Sequence, residues 1–300
     1  SIEQIEREIE KREKSGDLVQ QQQGGHTARL TSKDALEIER DSDKRLQEGK
    51  GAHQAVMTPR EFDAALKKFE DRKGFQLSEE QRSASRMILT NSDRFQGVQG
   101  LAGTGKTTML EFVREAAESK GWTVTGHSNG AEQASVMQRE SGIKTTTTAR
   151  HLIDQHKMEA LRAEHGVDPK CAPFKELRIM DEASMAGQRN FNDVLRTTEG
   201  SGARTVFLGD SRQHQSVEAG RAFERAQAHM PTAKLGEASI RRQTTDHMKS
   251  AVSQILAREE AKGLSQLKTV EIKTATQPNA SREELRALRQ QDNKQVVQRI

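Results

Sequence analysis

Tyrosine is absent from the 300 residues, which removes any chemistry built on a phenolic nucleophile. A single cysteine, Cys171, excludes an internal disulfide and a thiolate metal cage, and it suits a reducing, cytoplasmic setting. No run approaches the ~20 apolar residues of a membrane span, so no membrane insertion is expected. The opening stretch SIEQIEREIEKREK lacks the apolar centre of a signal peptide, so export by that route is not expected either. Aromatics make up only 3% and all hydrophobic residues 32%, too little to bury every stretch of the chain. Trp122 and the phenylalanines read as core rather than as a stacking platform, so any grip on a nucleic acid would rest on phosphates and weaken with salt. The histidines, His26 and His53 among them, show no metal-ligand spacing.

What is present suffices for one large domain or two smaller ones with a buried core. The net charge of +4 permits a polyanionic partner without requiring one. Residues 1–57 alternate acidic and basic side chains around sparse Ile and Leu, with a Gln-rich stretch at 20–25. They read as short, weakly packed helices and a flexible linker. From Thr58 the texture changes. Thr58, Pro59 and Glu61 supply a cap, a first-turn proline and an acidic third residue for a helix through EFDAALKKFEDRK. Ser78 with Gln81 opens another. Four short apolar runs, FQGVQ, WTVTGHS, LRIMDE and RTVFLGD, alternate with amphipathic stretches. That pattern predicts an α/β fold: a parallel sheet covered by helices on both faces, with ligands at the carboxyl ends of the strands. Beyond Pro231 the pattern thins to a helix over 246–260, a short strand near Val270 and a charged helix over 281–300.

The chemistry-bearing motifs fall at those strand ends. GLAGTGKT, from Gly100 to Thr107, follows one strand directly and opens a helix. Backbone amides of Gly100, Ala102, Gly103, Thr104, Gly105, Lys106, Thr107 and Thr108 would curl around a triphosphate. Lys106 would reach the β and γ phosphates, and Thr107 would hold magnesium. LRIMDEAS ends a strand in Asp181, suited to hold the metal, and Glu182, suited to orient and deprotonate the attacking water. RTVFLGD ends in Gly209 and Asp210, with Gln213 beyond as a sensor of the γ-phosphate, or else as part of a turn capped by Asp210. Arg241 and Arg242 in IRRQ could bring a cation to the transition state or serve as surface charge.

The order GLAGTGKT, MDEASM, GDSRQHQSVEAGRAF, IRRQ resembles the RecD-like superfamily 1B helicase module of conjugative relaxases, the TraI and TrwC type, over about 77–243. The resemblance implies a RecA-like P-loop NTPase domain using ATP and Mg2+. It implies an adenine contact for Gln81 in LSEEQ, and single-stranded DNA near Ser128, Asn129 and Thr148. Gln213 and Arg242 would act at the γ-phosphate. Family members couple ATP hydrolysis to 5′ to 3′ movement on single-stranded DNA. The partners implied are that DNA, other parts of the same relaxase polypeptide, and the conjugation and secretion machinery.

The chain departs from the family in two respects. No second set of helicase motifs follows IRRQ, and the relaxase half, which needs catalytic tyrosines, is missing, so nicking is not expected. The expected layout is a helical extension over 1–57, an ATPase domain over 58–235 and the start of an incomplete second motor domain over 236–300. Two alternatives stay open: a module that binds DNA or a secretion partner without hydrolysing nucleotide, and a RecD-type repair helicase.

Overall fold

The computed structural model describes residues 2–21, 29–100, 104–166, 175–210 and 221–236, all within one unit, Ser1–Thr244. Ala102, Gly103, Gln213 and Arg242 lie outside the described residues, as do the elements expected after 245.

Within the charged N-terminal stretch, residues 22–28, which hold most of the expected linker, lie outside the described residues, and the described part is regular. Helix α1 (Ile2–Lys14) leads into an antiparallel pair, β1 (Leu18–Gln21) and β2 (Arg29–Ser32), and then into a 16-residue helix, α2 (Lys33–Glu48). Ser32 caps α2 by accepting a hydrogen bond from the Ala35 amide. Apolar patterning misses α2 because the helix docks mainly through polar groups. Against α8 (Gln188–Ser201), Ser42 meets Gln188 and Asn192, Asp41 accepts from Asn192, and Arg45 pairs with Glu199. Asp43 and Glu39 hold Arg225 of α9 (Ala222–Ala226). Leu46 is the apolar anchor.

The helices expected at Thr58 and Ser78 form as α3 (Pro59–Lys73) and α4 (Glu79–Thr90), each with a complete capping box, Thr58 with Glu61 and Ser78 with Gln81. Six strands then make one sheet: β3 (Phe95–Gly100), β4 (Thr123–Ser128), β5 (Lys144–Thr147), β6 (Glu176–Asp181), β7 (Arg204–Gly209) and β8 (Thr232–Leu235). Their order is β5-β4-β6-β7-β3-β8, and every pairing is parallel. Between them run α5 (Lys106–Glu118), α6 (Ala131–Ser141) and α7 (Thr148–Glu164). Strands β5 and β8 were not expected from the sequence, because KTTT and TAKL hold too few apolar residues to mark a buried strand.

Helices cover both faces, as a buried parallel sheet requires. On one, Val98, Val124, Leu177, Ile179, Val206 and Leu208 pack against residues of α3, α4, α5 and α6. On the other, Phe95, Met180 and Phe207 meet Phe191, Val194 and Leu195 of α8 and Phe223 of α9. Phe191 stacks on Phe207 with ring centroids 4.6 Å apart.

Helix α7 is held differently. Of its residues only Thr148, His151 and Leu152 are buried, while Ile153, Met158 and Leu161 are about half exposed. Beneath it lies a polar network on β4 and β6. Arg178, 1% exposed, donates to Glu176, to Gln155 of α7 and to the Thr197 carbonyl, and Thr125 donates to Glu176. His127 of β4 stacks flat on His151, centroids 4.3 Å apart.

Candidate nucleotide site

Three strand ends converge because the register aligns them. Gln99 lies opposite Gly209, and Ser128 lies opposite Asp181. The last residues of β3, β6 and β7 therefore share the carboxyl edge of the sheet, where α5 also begins.

Gly105 precedes α5 in the left-handed region, φ 73° and ψ 30°, a conformation glycine adopts at little cost. No side chain caps α5. Its first amides therefore keep their donors and the positive end of the helix dipole for an anion. The Lys106 ammonium lies 3.3 Å from the Gly100 carbonyl, folded back along the loop. Thr107 donates its hydroxyl to Glu140 of α6 at 3.1 Å. Thr108 follows in the first turn of α5, and Thr104 is buried.

At the end of β6, Asp181 is followed by Glu182 at φ 54°, the one positive-φ residue other than glycine among the described residues. Such a conformation costs about 1–2 kcal/mol. The turn is held by the Asn129 amide, which donates to the Glu182 carbonyl at 3.0 Å, and by the Met185 amide, which donates to the same oxygen. Burial raises the Glu182 pKa above the ordinary carboxylate value; Asp181 and Asp210 push the same way, and Lys106 opposes them. A carboxylate made more basic in this way suits proton abstraction from water. Asp210, at the end of β7, is 1% exposed, accepts from the Gln99 side chain at 2.9 Å and is joined by its amide to Ser184. Gln99 in turn accepts from Gln227, just past α9.

These donors fit a magnesium–triphosphate complex. Asp181 and Thr107 offer hard oxygen atoms of the kind that magnesium takes, and the uncapped helix end suits phosphates. Among the described residues no group of three or more His, Cys, Asp or Glu converges as a metal site.

Other expected site residues sit elsewhere. Gln81 is 1% exposed and donates its amide to the carbonyls of Thr104 (2.9 Å) and Gly105 (3.2 Å), so it touches the loop. Ser128 is fully buried, and its hydroxyl has no partner among the described residues. Thr148 is 4% exposed and bonds His127. Of the three residues expected near DNA, Asn129 is the exposed one, and it links that edge to the Glu182 turn. Sequence reasoning passed over Gln99 and Glu140. A polar residue closing a buried strand marks Gln99, whereas nothing in the pattern marks Glu140, which lies on a different helix.

Residues 76–276 match the family model of an AAA domain. The chain is 32% identical over 204 residues to the conjugal transfer protein TraA of Rhizobium radiobacter, covering 68% of this chain and 16% of that protein. It is 31% identical over 269 residues to the multifunctional conjugation protein TraI of Escherichia coli K12, covering 88% of this chain and 14% of that protein. The chain thus spans only a small part of these relatives' length. Among solved structures, the Pif1 helicase of Candida albicans aligns with 65% of this chain and 49% of its own at a TM-score of 0.46 and 21% identity. Among the described residues, no helix is long and apolar enough to cross a membrane.

Proposed function

Because this chain belongs to the AAA domain family, a nucleotide-binding family, we propose that it is the ATP-dependent motor portion of a conjugative relaxase, hydrolysing ATP with Mg2+ to move 5′ to 3′ on single-stranded DNA. One observation carries the hydrolytic reading: Lys106 and the Asp181–Glu182 pair share the strand-end edge with an uncapped α5, and Glu182 is half-buried there, with desolvation first and Asp181 and Asp210 next raising its pKa. A phosphate-binding loop alone would bind nucleotide. The basic carboxylate next to it adds a base for water.

In this reading α5 and Lys106 hold the phosphates, and Thr107 and Asp181 hold magnesium, which neutralises phosphate charge when bound. Glu182 orients a water and takes its proton. Gln213 and Arg242, outside the described residues, are assigned to the γ-phosphate. The motor domain runs over 58–235 and a second opens over 236–300. Single-stranded DNA passes over the edge that carries Asn129. The other partners are further parts of the relaxase polypeptide and the conjugation machinery, in the cytoplasm. The alignment with the conjugation protein TraI reaches beyond residues 76–276 at one end or both, since it covers 269 residues. That extent favours conjugation over a repair helicase.

The test is anisotropy of a labelled oligonucleotide titrated with the protein, with and without a non-hydrolysable ATP analogue and Mg2+. A motor shows single-strand binding whose affinity depends on the nucleotide and falls with salt. Affinity that ignores nucleotide would count against coupling.

A further inference from the structure

A hydroxyl carries one proton as well as two lone pairs, so an oxygen that faces a metal ion needs somewhere else to send its proton. Inside a helix a threonine hydroxyl commonly donates back to a carbonyl three or four residues earlier. Thr107, in the first turn of α5, instead donates across to a second helix, to Oε2 of Glu140 on α6 at 3.1 Å. Among the described residues the cation beside Glu140 is Arg139, whose guanidinium lies 3.9 Å from the other carboxylate oxygen. The Glu140 side chain reaches solvent, but its backbone is firmly mounted. Met137 and Ile143, on either side of it, are buried in the same apolar cluster as Leu110 and Val113 of α5. Ser141 donates its hydroxyl to the Met137 carbonyl at 2.6 Å and accepts from the Ile143 amide at 3.2 Å. Arg114 of α5 donates to the Ser141 carbonyl at 3.0 Å. It also lies so close to Gly142, at φ 72°, that an added Cβ would come within 3.1 Å of its Nε. The last turn of α6 is thus pinned to α5, and Glu140 is held where it can reach Thr107.

We propose that Glu140 is a positioning residue for magnesium: by accepting the Thr107 proton it fixes the orientation of that hydroxyl and leaves the oxygen lone pairs free for the ion. The inference rests on the nucleotide-site reading above and deepens it, adding a residue from α6 behind the expected metal ligand. A carboxylate that accepts a ligand's proton also makes the ligand oxygen a better electron donor, which is how partners behind a metal ligand raise its affinity. Glu140 therefore acts on the metal-dependent part of nucleotide binding. The part carried by Lys106 and the α5 amides does not depend on it.

The test follows binding of a fluorescent ATP analogue to the whole chain, with Mg2+ varied at fixed nucleotide and again with EDTA in place of Mg2+. Glu140→Ala is expected to raise the Mg2+ concentration at half-saturation about tenfold, with the affinity in EDTA unchanged. Glu140→Gln, which keeps an oxygen to accept the Thr107 proton, should stay close to the wild type. Equal shifts in the two variants would show that Glu140 acts only as a nearby negative charge, and would overturn the proposal. So would an unshifted or tighter Mg2+ dependence in Glu140→Ala, which would make the Thr107 contact a surface bond or a competitor of the ion. A loss of the same size in EDTA would overturn it as well, because a merely structural role weakens both arms together. The nucleotide-site reading is checked separately by Lys106→Ala, which should abolish binding in both arms. A wild-type chain that binds no nucleotide, or a Lys106→Ala chain that binds it undiminished, overturns that reading and this one with it; wild-type binding that ignores Mg2+ overturns the role of Glu140 alone.

Discussion

Glu182 concentrates the account at the scale of single residues. It occupies a left-handed conformation that glycine would adopt more cheaply, which is the kind of strain found where a side chain must be aimed. Glu182→Gln keeps shape and removes the base, so kcat should fall about 10²- to 10⁴-fold while nucleotide binding persists. The raised pKa gives the pH dependence a sign. The base is active only when ionised, so the rate should fall on acidification through a value above that of an ordinary carboxylate. The same shift means the folded state holds the proton more tightly than the unfolded chain, so this group's contribution to stability declines as pH rises through it. A pH–rate profile with its acid limb at an ordinary carboxylate value would contradict the assignment. Asn129→Ala, which removes one of the two donors to the Glu182 carbonyl at the edge proposed to carry DNA, should reduce DNA stimulation of hydrolysis more than the DNA-free rate. Equal loss in both would show that Asn129 only props the turn. The places of Lys106, Asp181 and Glu182 at the ends of strands and the start of α5 are legible from motif and strand context alone. The strain at Glu182 and the Thr107–Glu140 contact are not, because both arise from how separate elements pack.

Among the elements, helices and strands differ in how openly their residues announce them. The apolar runs of β3, β6 and β7 are plain in the sequence, and the capping boxes at Thr58 and Ser78 mark the starts of α3 and α4. By contrast, α2 is held by ion pairs and β5 is polar, so patterning, which registers apolar burial, passes over both. α7 belongs to the second kind. It rests on the stacked pair His127 and His151, whose pKa values are depressed first by burial and further by the Arg178 cation. His127, which also faces the His151 ring, falls well below the usual imidazole value, and His151 falls to about 4. Both rings are neutral near pH 7. The unfolded chain takes up protons near the ordinary histidine value of 6.5, so the pair's contribution is complete above that pH and is lost as pH falls toward 4. Denaturant midpoints should therefore drop across that window, and His151→Phe, which keeps a flat ring without a titrating group, should flatten the drop. An unchanged pH dependence in that variant would rule out His151 as a source. At the apolar end of the range, Phe191→Ala, removing a fully buried ring between α8 and β7, should cost about 3–5 kcal/mol in equilibrium unfolding.

For the whole molecule, the central claim is that the carboxyl edge of one parallel sheet is a working ATPase whose turnover responds to single-stranded DNA. With aromatics scarce and the net charge only modestly positive, DNA should be held through phosphates, so stimulation should fade steeply as salt rises. The alternation of strands and helices makes this architecture legible in the amino-acid sequence. The integration of the charged N-terminal stretch through α2 is not legible there, because its ion pairs join residues far apart along the chain. The most direct measurement is the steady-state ATPase rate with Mg2+, with and without single-stranded DNA, for the wild-type chain, Lys106→Ala and Glu182→Gln. Turnover should rise with DNA and vanish in both variants. Nucleotide binding without turnover under any of these conditions would contradict it, and would leave this chain a binding module.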